Sequence, residues 1–229
     1  MTAAPQLNVG LIGLGFIGKM HANAYRAIPL CFPEPVVTAN LDAVLRSKLD
    51  TEQDFMRSLG NPFATTDPDA FFNRKLDIVD VCSPNYLHFE QVSRAIERGM
   101  HVYCEKPLAN NLAEARKLAE QARKAGVQTH VALIFRYLPA VRQMKAIIEA
   151  GELGEVFHFR TKMFHASYLD PNRPMSWRLK QATSGGGSLM DLGAHLVDLT
   201  RYLLGDVAWV KADMRTLITE RPVAKGAAE

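Results

Sequence analysis

Three polar residues have the types and the spacing of a proton-transfer site. Asp191 and His195 stand four residues apart in a segment whose leucines recur at helical spacing, so the carboxylate can hydrogen-bond the imidazole and support its protonated form. A general base near neutral pH needs that support. Lys106, in the turn Glu105-Lys106-Pro107, can donate a hydrogen bond to a substrate hydroxyl and stabilise an alkoxide. A surface ion pair and a solvent-exposed lysine stay open as alternatives on these residues alone.

A glycine-rich turn supplies a second chemical signal. The sequence Gly-Leu-Gly-Phe-Ile-Gly (13–18) follows the apolar run Leu7–Ile12 and precedes a helical pattern, which is the context in which this motif binds a dinucleotide. The first glycine permits a tight turn, the second lets the backbone approach a pyrophosphate, and the third lets helix and strand pack closely. A plain glycine turn is the alternative. The nucleotide contacts predicted from this loop are Gly13, Gly15, Phe16, Ile17 and Gly18.

The second apolar run, Val36–Leu41, is followed by Asp42, the acid that we expect to bind the adenosine ribose hydroxyls. Because no arginine stands beside Asp42 and its charge would repel a ribose phosphate, the sequence favours NAD over NADP. Arg46 keeps NADP open, and a helix-capping role is the alternative for Asp42.

Further polar residues follow the strand candidates Leu76–Cys82 and His101–Cys104, at the edge where parallel sheets bind ligands. The residues expected to line the cofactor cleft there are Ser83, Pro84, Asn85, His88, Glu105 and Lys106. The residues expected to contact substrate are Lys106, Trp177, Arg178, Asp191 and His195. Ordinary packing is the alternative for the tryptophan and its neighbouring arginine. The three cysteines form no C-x-x-C pair, so we expect neither a disulfide framework nor a bound metal.

These residues need a layered scaffold, and the chain alternates short apolar runs with helical periodicities from Leu7 to Phe135. That alternation predicts an α/β fold, with a Rossmann-type doubly wound parallel sheet in an NAD(P)-binding domain over residues 1–137. The predicted strands are Leu7–Ile12, Val36–Leu41, Leu76–Cys82, His101–Cys104 and Val127–Phe135, and the predicted helices begin near Phe16, Ala43, Pro84 and Leu112.

The pattern changes after Tyr137. A predicted helix over Pro139–Ala150 precedes Val156–Phe164, where apolar and polar side chains alternate, and Trp209–Leu217 resembles a second such strand. We therefore predict that residues 138–229 form a partial substrate-binding and catalytic α/β domain with a mostly antiparallel sheet. Two strands make a poor domain, which favours a chain that is a piece of a longer protein.

The bulk composition excludes several classes of protein. Of the 229 residues, 48% are hydrophobic and 22% are charged, and no apolar stretch approaches the about 20 residues of a membrane-spanning helix. Residues 1–7 lack the features of a secretory signal, so we expect a soluble, cytoplasmic protein without a membrane partner. The net charge of +3 is spread along the chain, and we expect no nucleic-acid partner.

Four motifs, in this order, closely resemble the Gfo/Idh/MocA family, which includes glucose-fructose oxidoreductase and inositol dehydrogenase. They are GLGFIGKMHA (13–22), SPNYLH (83–88), CEKPLA (104–109) and GGGSLMDLGAHLVD (185–198). The resemblance covers nearly the whole chain. It implies a cis Lys106-Pro107 peptide, catalytic roles for Lys106, Asp191 and His195, and a homo-oligomer (dimer or tetramer) of the full-length protein. Family members usually continue well beyond position 229, which implies a C-terminal truncation.

The resulting hypothesis is an NAD(P)-dependent oxidoreductase that transfers a hydride between a nicotinamide cofactor and a secondary hydroxyl of a sugar or cyclitol-like substrate. His195, oriented by Asp191, would remove the hydroxyl proton while Lys106 steadies the oxygen. Two alternatives stay open. One is a non-catalytic, nucleotide-responsive regulatory protein, and the other is a family branch that uses NAD transiently to cleave a glycosidic bond.

Overall fold

The chain divides into two units, residues 1–132 and 133–229. The computed structural model describes residues 4–34 and 36–223, so the outer ends of the two predicted domains, at residues 1–3 and 224–229, lie outside the described residues. Within the described ranges, no helix combines the length and the apolar composition needed to cross a bilayer.

The first unit is built on a six-stranded parallel sheet with the order β3-β2-β1-β4-β5-β6. Its strands are β1 (Gln6–Ile12), β2 (Thr38–Leu45), β3 (Phe63–Thr65), β4 (Ile78–Val81), β5 (His101–Cys104) and β6 (Thr129–Val131). The strand order runs outward in both directions from β1 and β4, which leaves a crevice at the carboxyl ends of these two strands. The predicted Rossmann-type parallel sheet is confirmed.

Helices cover both faces of this sheet. They are α1 (Phe16–Cys31), α2 (Gln53–Ser58), α3 (Pro68–Phe72), α4 (His88–Glu97) and α5 (Leu112–Ala125). Successive residues of a strand point to opposite faces, so Leu11 shares one core with Ala22 of α1 and Ile12 shares the other with Val92 of α4. Because the central strands β1 and β4 are largely buried on both faces, their sequences are nearly continuous apolar runs.

The fifth helix begins and ends as its sequence predicts. The Asn111 side chain accepts the backbone N–H of Glu114 at 2.9 Å, which satisfies one of the donors left over at a helix start. Gly126 follows the last turn at a φ of +68°, a left-handed conformation that glycine adopts without a steric penalty.

The second strand differs from its prediction. We expected a strand over Val36–Leu41 and a helix from Ala43, but β2 continues to Leu45 and Ala43 has no solvent exposure. Val9 pairs with Leu41 whereas Gly10 pairs with Ala43, so Asp42 is the extra residue of a β-bulge. The prediction is wrong because a short apolar run in a strand buried on both faces has no period that separates it from a buried helix.

The regular secondary structure of the second unit is helical over the part of it that the structure describes. Its α-helices are α6 (Pro139–Glu149), α7 (Gln181–Ser184) and α8 (Ala194–Leu204), and a π-helical segment, Leu189–Gly193, leads directly into α8. Residues 133–223 contain no strand, so the strands predicted at Val156–Phe164 and Trp209–Leu217 are not formed in this structure. Their alternating sequence supplies an apolar face, but a strand also needs a neighbour that takes its backbone hydrogen bonds.

Candidate functional site

The glycine loop between β1 and α1 has a separate steric requirement at each of its glycines. Gly13 adopts a φ of +91°, and a Cβ there would stand 2.9 Å from the backbone of Cys82. A Cβ on Gly18 would stand 2.0 Å from the carbonyl oxygen of Gly13, whereas a Cβ on Gly15 would meet nothing within 4 Å. The first and third glycines therefore close the loop against the strand and helix, and the second faces open space.

The start of α1 offers backbone donors to that open space. Gly15 is the N-cap, no side chain caps the helix, and its first turn carries no acidic residue. The first-turn N–H groups and the positive end of the helix dipole are therefore presented to an anion. Phe16 is 81% exposed beside the loop. This arrangement fits the pyrophosphate of a dinucleotide.

The loop that follows β4 is held by its own side chains. Ser83 Oγ donates to Gln91 Oε1 at 2.6 Å, and Asn85 Nδ2 donates to Asn110 Oδ1 at 3.1 Å. Pro84, predicted as the first helical residue, instead precedes a short 3₁₀ turn, Asn85–Leu87, that leads into α4. The loop lies at the carboxyl end of β4, next to the glycine loop at the end of β1.

His88 has a structural role that its sequence position did not predict. It is 1% exposed, with Nδ1 lying 2.8 Å from the carbonyl oxygen of Pro107 and Nε2 lying 2.9 Å from that of Ser83. Burial lowers the pKa of His88, and its hydrogen bonds to the two carbonyls oppose that shift. Its prediction as a direct cofactor contact is corrected, because the buried ring joins the loops after β4 and β5.

The Glu-Lys-Pro turn follows β5 at the same sheet edge. The Lys106-Pro107 peptide is cis, as the resemblance implied. The Glu105 backbone N–H donates to Val81 of β4 at 2.8 Å, and the Glu105 carboxylate accepts the Lys106 backbone N–H at 3.1 Å. Glu105, the first residue of the turn, is thus bonded to β4, and Lys106 comes directly after it, two residues beyond the end of β5.

A buried polar cluster that we did not predict lies between α1 and the sheet. Asp80, with no solvent exposure, accepts hydrogen bonds from His21 Nδ1 at 2.9 Å, from Tyr25 Oη at 2.8 Å and from Cys82 Sγ at 3.4 Å. The other imidazole nitrogen of His21 lies 3.3 Å from Glu105 Oε1. The sequence did contain a signal for this cluster, namely Asp80, because a carboxylate inside the apolar strand Ile78–Val81 must be buried with partners.

The charge state of this cluster follows from its contacts. Burial alone lowers the pKa of an imidazole, but hydrogen bonds to Asp80 and Glu105 and the charges of both carboxylates raise the pKa of His21 to about 9. Burial and the adjacent Asp80 raise the pKa of the Cys82 thiol. His21, Asp80 and Cys82 also offer potential metal-ligand atoms within 4.8 Å of one another, and in this structure these atoms hydrogen-bond each other.

Asp42 is not where a ribose-binding acid must stand. It lies within β2, three residues before the strand ends, and its carboxylate accepts two hydrogen bonds from Arg74, at 2.7 and 2.9 Å. The residue that directly follows β2 is Arg46, whose guanidinium donates to the carbonyl oxygens of Lys48 and Thr51. The assignment of Asp42 to the ribose is corrected, because the strand is longer than its sequence predicts.

In the second unit, Asp191 and His195 lie on the π-helical segment and on the first turn of α8. The Tyr168 hydroxyl donates to Asp191 Oδ2 at 2.8 Å. The His195 side chain is buried, and its ring stacks on Phe135 with centroids 4.6 Å apart. Burial and the hydrogen bond to Asp191 raise the pKa of Tyr168, so its hydroxyl stays protonated and donates. Tyr168 and Phe135 were not predicted, since no spacing rule links them to the helix.

Two further polar residues of α8, Asp198 and Tyr202, pack within the second unit. Asp198 forms a two-bonded ion pair with Arg136, and the Arg136 guanidinium lies 5.3 Å from the centre of the Tyr202 ring. The predicted substrate residues Trp177 and Arg178 contact each other, with the guanidinium 4.3 Å from the ring centre. Asp198 and Tyr202 are therefore engaged in packing within the unit.

Two known proteins are similar to this chain over most of its length. Levoglucosan dehydrogenase of Pseudarthrobacter phenanthrenivorans is 36% identical over 225 residues, which cover 97% of this chain and 57% of that protein. D-glucoside 3-dehydrogenase of Escherichia coli is 32% identical over 209 residues, which cover 90% of this chain and 56% of that protein. The chain thus spans somewhat more than half the length of these relatives.

A solved structure and two family models extend the comparison. A levoglucosan dehydrogenase in complex with NADH and levoglucosan superimposes with a TM-score of 0.92 at 35% identity, covering 96% of this chain and 60% of that one. Residues 7–133 match the oxidoreductase family with an NAD-binding Rossmann fold. Residues 141–228 match the GFO/IDH/MocA C-terminal domain. The chain therefore belongs to the Gfo/Idh/MocA family of oxidoreductases.

Proposed function

We propose that this chain is the NAD-binding and catalytic part of a dehydrogenase that oxidises a secondary hydroxyl of a sugar or cyclitol-like substrate. The observation that carries the proposal is the position of the Glu-Lys-Pro turn. Its lysine follows β5 at the sheet edge that also carries the glycine loop after β1. A nucleotide on that loop would extend along the edge toward the ends of β4 and β5.

NAD is the cofactor of this proposal, and when bound it accepts a hydride from the substrate carbon. The steric pattern of Gly13, Gly15 and Gly18 supports binding of its pyrophosphate. Arg46 would be the residue to recognise the extra phosphate of NADP, but its guanidinium is bonded to the loop that follows β2. That engagement supports NAD over NADP.

Three side chains carry out the proton transfer and stabilise the charge that develops on the substrate oxygen. An imidazole nitrogen of His195 takes the hydroxyl proton, and Asp191 supports the imidazolium that forms. The Lys106 ammonium donates a hydrogen bond to the substrate oxygen as negative charge develops on it. Tyr168 supports this assignment because its hydroxyl holds the Asp191 carboxylate in place.

The proposal also covers the class of substrate and the assembly state. Because both named relatives act on sugars, levoglucosan and D-glucosides in their names, we infer a compact polyol with several adjacent hydroxyls. Trp177 and Arg178 would frame such a ring from one side. We further propose that residues 1–137 bind the nucleotide, and that segments 156–164 and 209–217 join an antiparallel sheet in a longer, dimeric or tetrameric form.

The test is formation of the reduced cofactor, NADH from NAD or NADPH from NADP, followed by its near-ultraviolet absorbance, on levoglucosan, a methyl glucoside and myo-inositol. We expect turnover with NAD on at least one of them. His195→Ala should lower kcat by roughly 100-fold or more and leave NAD binding, measured by calorimetry, within about twofold. His158→Ala is the matched control, because His158 is an exposed imidazole in the same unit. Unchanged kcat in His195→Ala would remove the assignment of the base.

A further inference from the structure

The buried cluster of His21, Asp80 and Glu105 joins three parts of the chain that are distant in sequence. His21 stands on α1, Asp80 on β4 and Glu105 directly after β5. His21 contacts both carboxylates, one from each ring nitrogen. A carboxylate accepts and does not donate, so the ring satisfies both only as the doubly protonated imidazolium.

Glu105 transmits this contact to the lysine. One of its carboxylate oxygens receives His21, and the other accepts the backbone N–H of Lys106. On the far side of the turn, His88 contacts the carbonyl oxygen of Pro107. Before the cis peptide, His21 of α1 contacts Glu105, and Glu105 binds the Lys106 backbone. After it, His88 of α4 contacts the Pro107 backbone.

Stability alone does not explain such a cluster. Replacing a buried ion pair with well-packed apolar side chains is often neutral or stabilising, because the charges lose their hydration when buried. The charged imidazole instead orients the Glu105 carboxylate, which an apolar side chain at position 21 could not do. Tyr103 stacks on the His21 ring at 5.3 Å between centroids and restricts its rotation.

We propose that His21 is a positioning residue for Lys106. Held by Asp80, it fixes the Glu105 carboxylate, which in turn fixes the backbone from which the lysine ammonium reaches the substrate oxygen. The inference rests on the proposed function for the role of the lysine, but the contacts that carry it lie wholly within the first unit.

The kinetic test compares His21→Gln with Tyr25→Phe. Tyr25→Phe removes one hydrogen bond to Asp80, and His21→Gln removes the imidazolium that contacts both Asp80 and Glu105. Tyr25 has no contact with Glu105 among those that the structure gives. We expect His21→Gln to lower kcat roughly 10- to 100-fold, as when a reacting group is displaced by about 1 Å, with the KM for NAD little changed. Tyr25→Phe should keep the wild-type kcat. Equal kcat values for His21→Gln and the wild type would overturn the proposal.

A double-mutant cycle with Glu105→Gln tests whether the two residues act along one path. If they do, the double variant should lose little more kcat than the worse single variant. Multiplicative losses would contradict the proposal. If His21→Gln does not fold, Glu105→Gln and Glu105→Ala replace it, and glutamine, which keeps an acceptor oxygen, should retain more kcat than alanine.

Amide hydrogen exchange at Lys106 separates this proposal from the proposed function. Loosening of the Glu105 carboxylate in His21→Gln should speed exchange of the Lys106 N–H roughly tenfold, whereas Tyr25→Phe should not. This readout needs no substrate. Faster exchange in a protein without dehydrogenase activity would support the positioning role and reject the function, and unchanged exchange would reject the positioning role.

Discussion

At the scale of single residues, His21 makes the stability of the fold depend on pH. Its pKa is raised from 6.5 to about 9, so the folded chain binds a proton that the unfolded chain has already released between these values. The stabilisation is complete below about pH 6.5 and is lost as the pH rises through 9. The free energy of unfolding should fall across this window by at most about 1.4 kcal/mol for each pH unit.

Urea unfolding of the wild type and of His21→Gln at several pH values checks this expectation. The glutamine variant cannot take up the proton, so its free energy of unfolding should vary less with pH over the window. Tyr25→Phe is the control and should keep the wild-type slope. Parallel curves for the wild type and His21→Gln would show that the imidazole is not the group responsible.

Tyr168 gives a second prediction at this scale. Its hydroxyl donates to Asp191, and a hydrogen bond to a charged group contributes about 1.5–3 kcal/mol. We expect Tyr168→Phe to lower kcat by at least about tenfold while the KM for NAD stays constant. Tyr202→Phe is the comparison, because it keeps the aromatic ring below Arg136 and should retain activity. A normal kcat in Tyr168→Phe would mean that Asp191 needs no such partner.

At the scale of elements, the glycine loop predicts opposite outcomes for two alanine substitutions. Gly18→Ala forces a Cβ against the Gly13 carbonyl and should destabilise the fold by on the order of 3 kcal/mol. Gly15→Ala meets open space and should leave the melting temperature nearly unchanged. It should still weaken NAD binding about tenfold or more, because the methyl group occupies the approach of the pyrophosphate. Thermal unfolding and calorimetry check both, and equal stability losses would reject this distinction.

The elements also show what the sequence could and could not predict. β5 and α5 were predicted at or near their observed bounds, because each is framed by local signals such as the Asn111 cap. β2 was placed too early because its last residues are buried by tertiary contacts that leave no local period. The error moved the ribose-binding position from the strand end to Asp42, which is a bulge residue bound to Arg74.

Part of the candidate site could likewise be predicted from the sequence, and part could not. Gly13, Gly15 and Gly18 follow from one motif, since their roles depend on neighbours in sequence. The links from His21 to Asp80 and from Tyr168 to Asp191 join residues 59 and 23 positions apart. No periodicity connects such pairs, and they became visible only once the elements were packed.

At the scale of the whole molecule, the two units differ in how much apolar surface they bury. Both apolar cores belong to the first unit, whereas Leu203 is the single fully buried apolar side chain among described residues 133–223. We expect residues 1–132 alone to unfold cooperatively and to bind NAD within about tenfold of the whole chain. Residues 133–229 alone should show no cooperative transition. Circular dichroism and calorimetry check this, and failure of the first unit to fold would contradict it.

The π-helical segment before α8 gives this part of the chain a specific sensitivity to length. A π turn holds one more residue than an α turn of the same span, so Leu189–Gly193 behaves as an insertion that the helix has absorbed. Deleting one residue between Asp191 and His195 would restore ordinary α winding and change the spacing of the two groups from i,i+4 to i,i+3, about 60° apart around the axis. A substitution in this segment keeps that spacing, whereas a change in the number of residues alters the angle between the carboxylate and the imidazole around the axis.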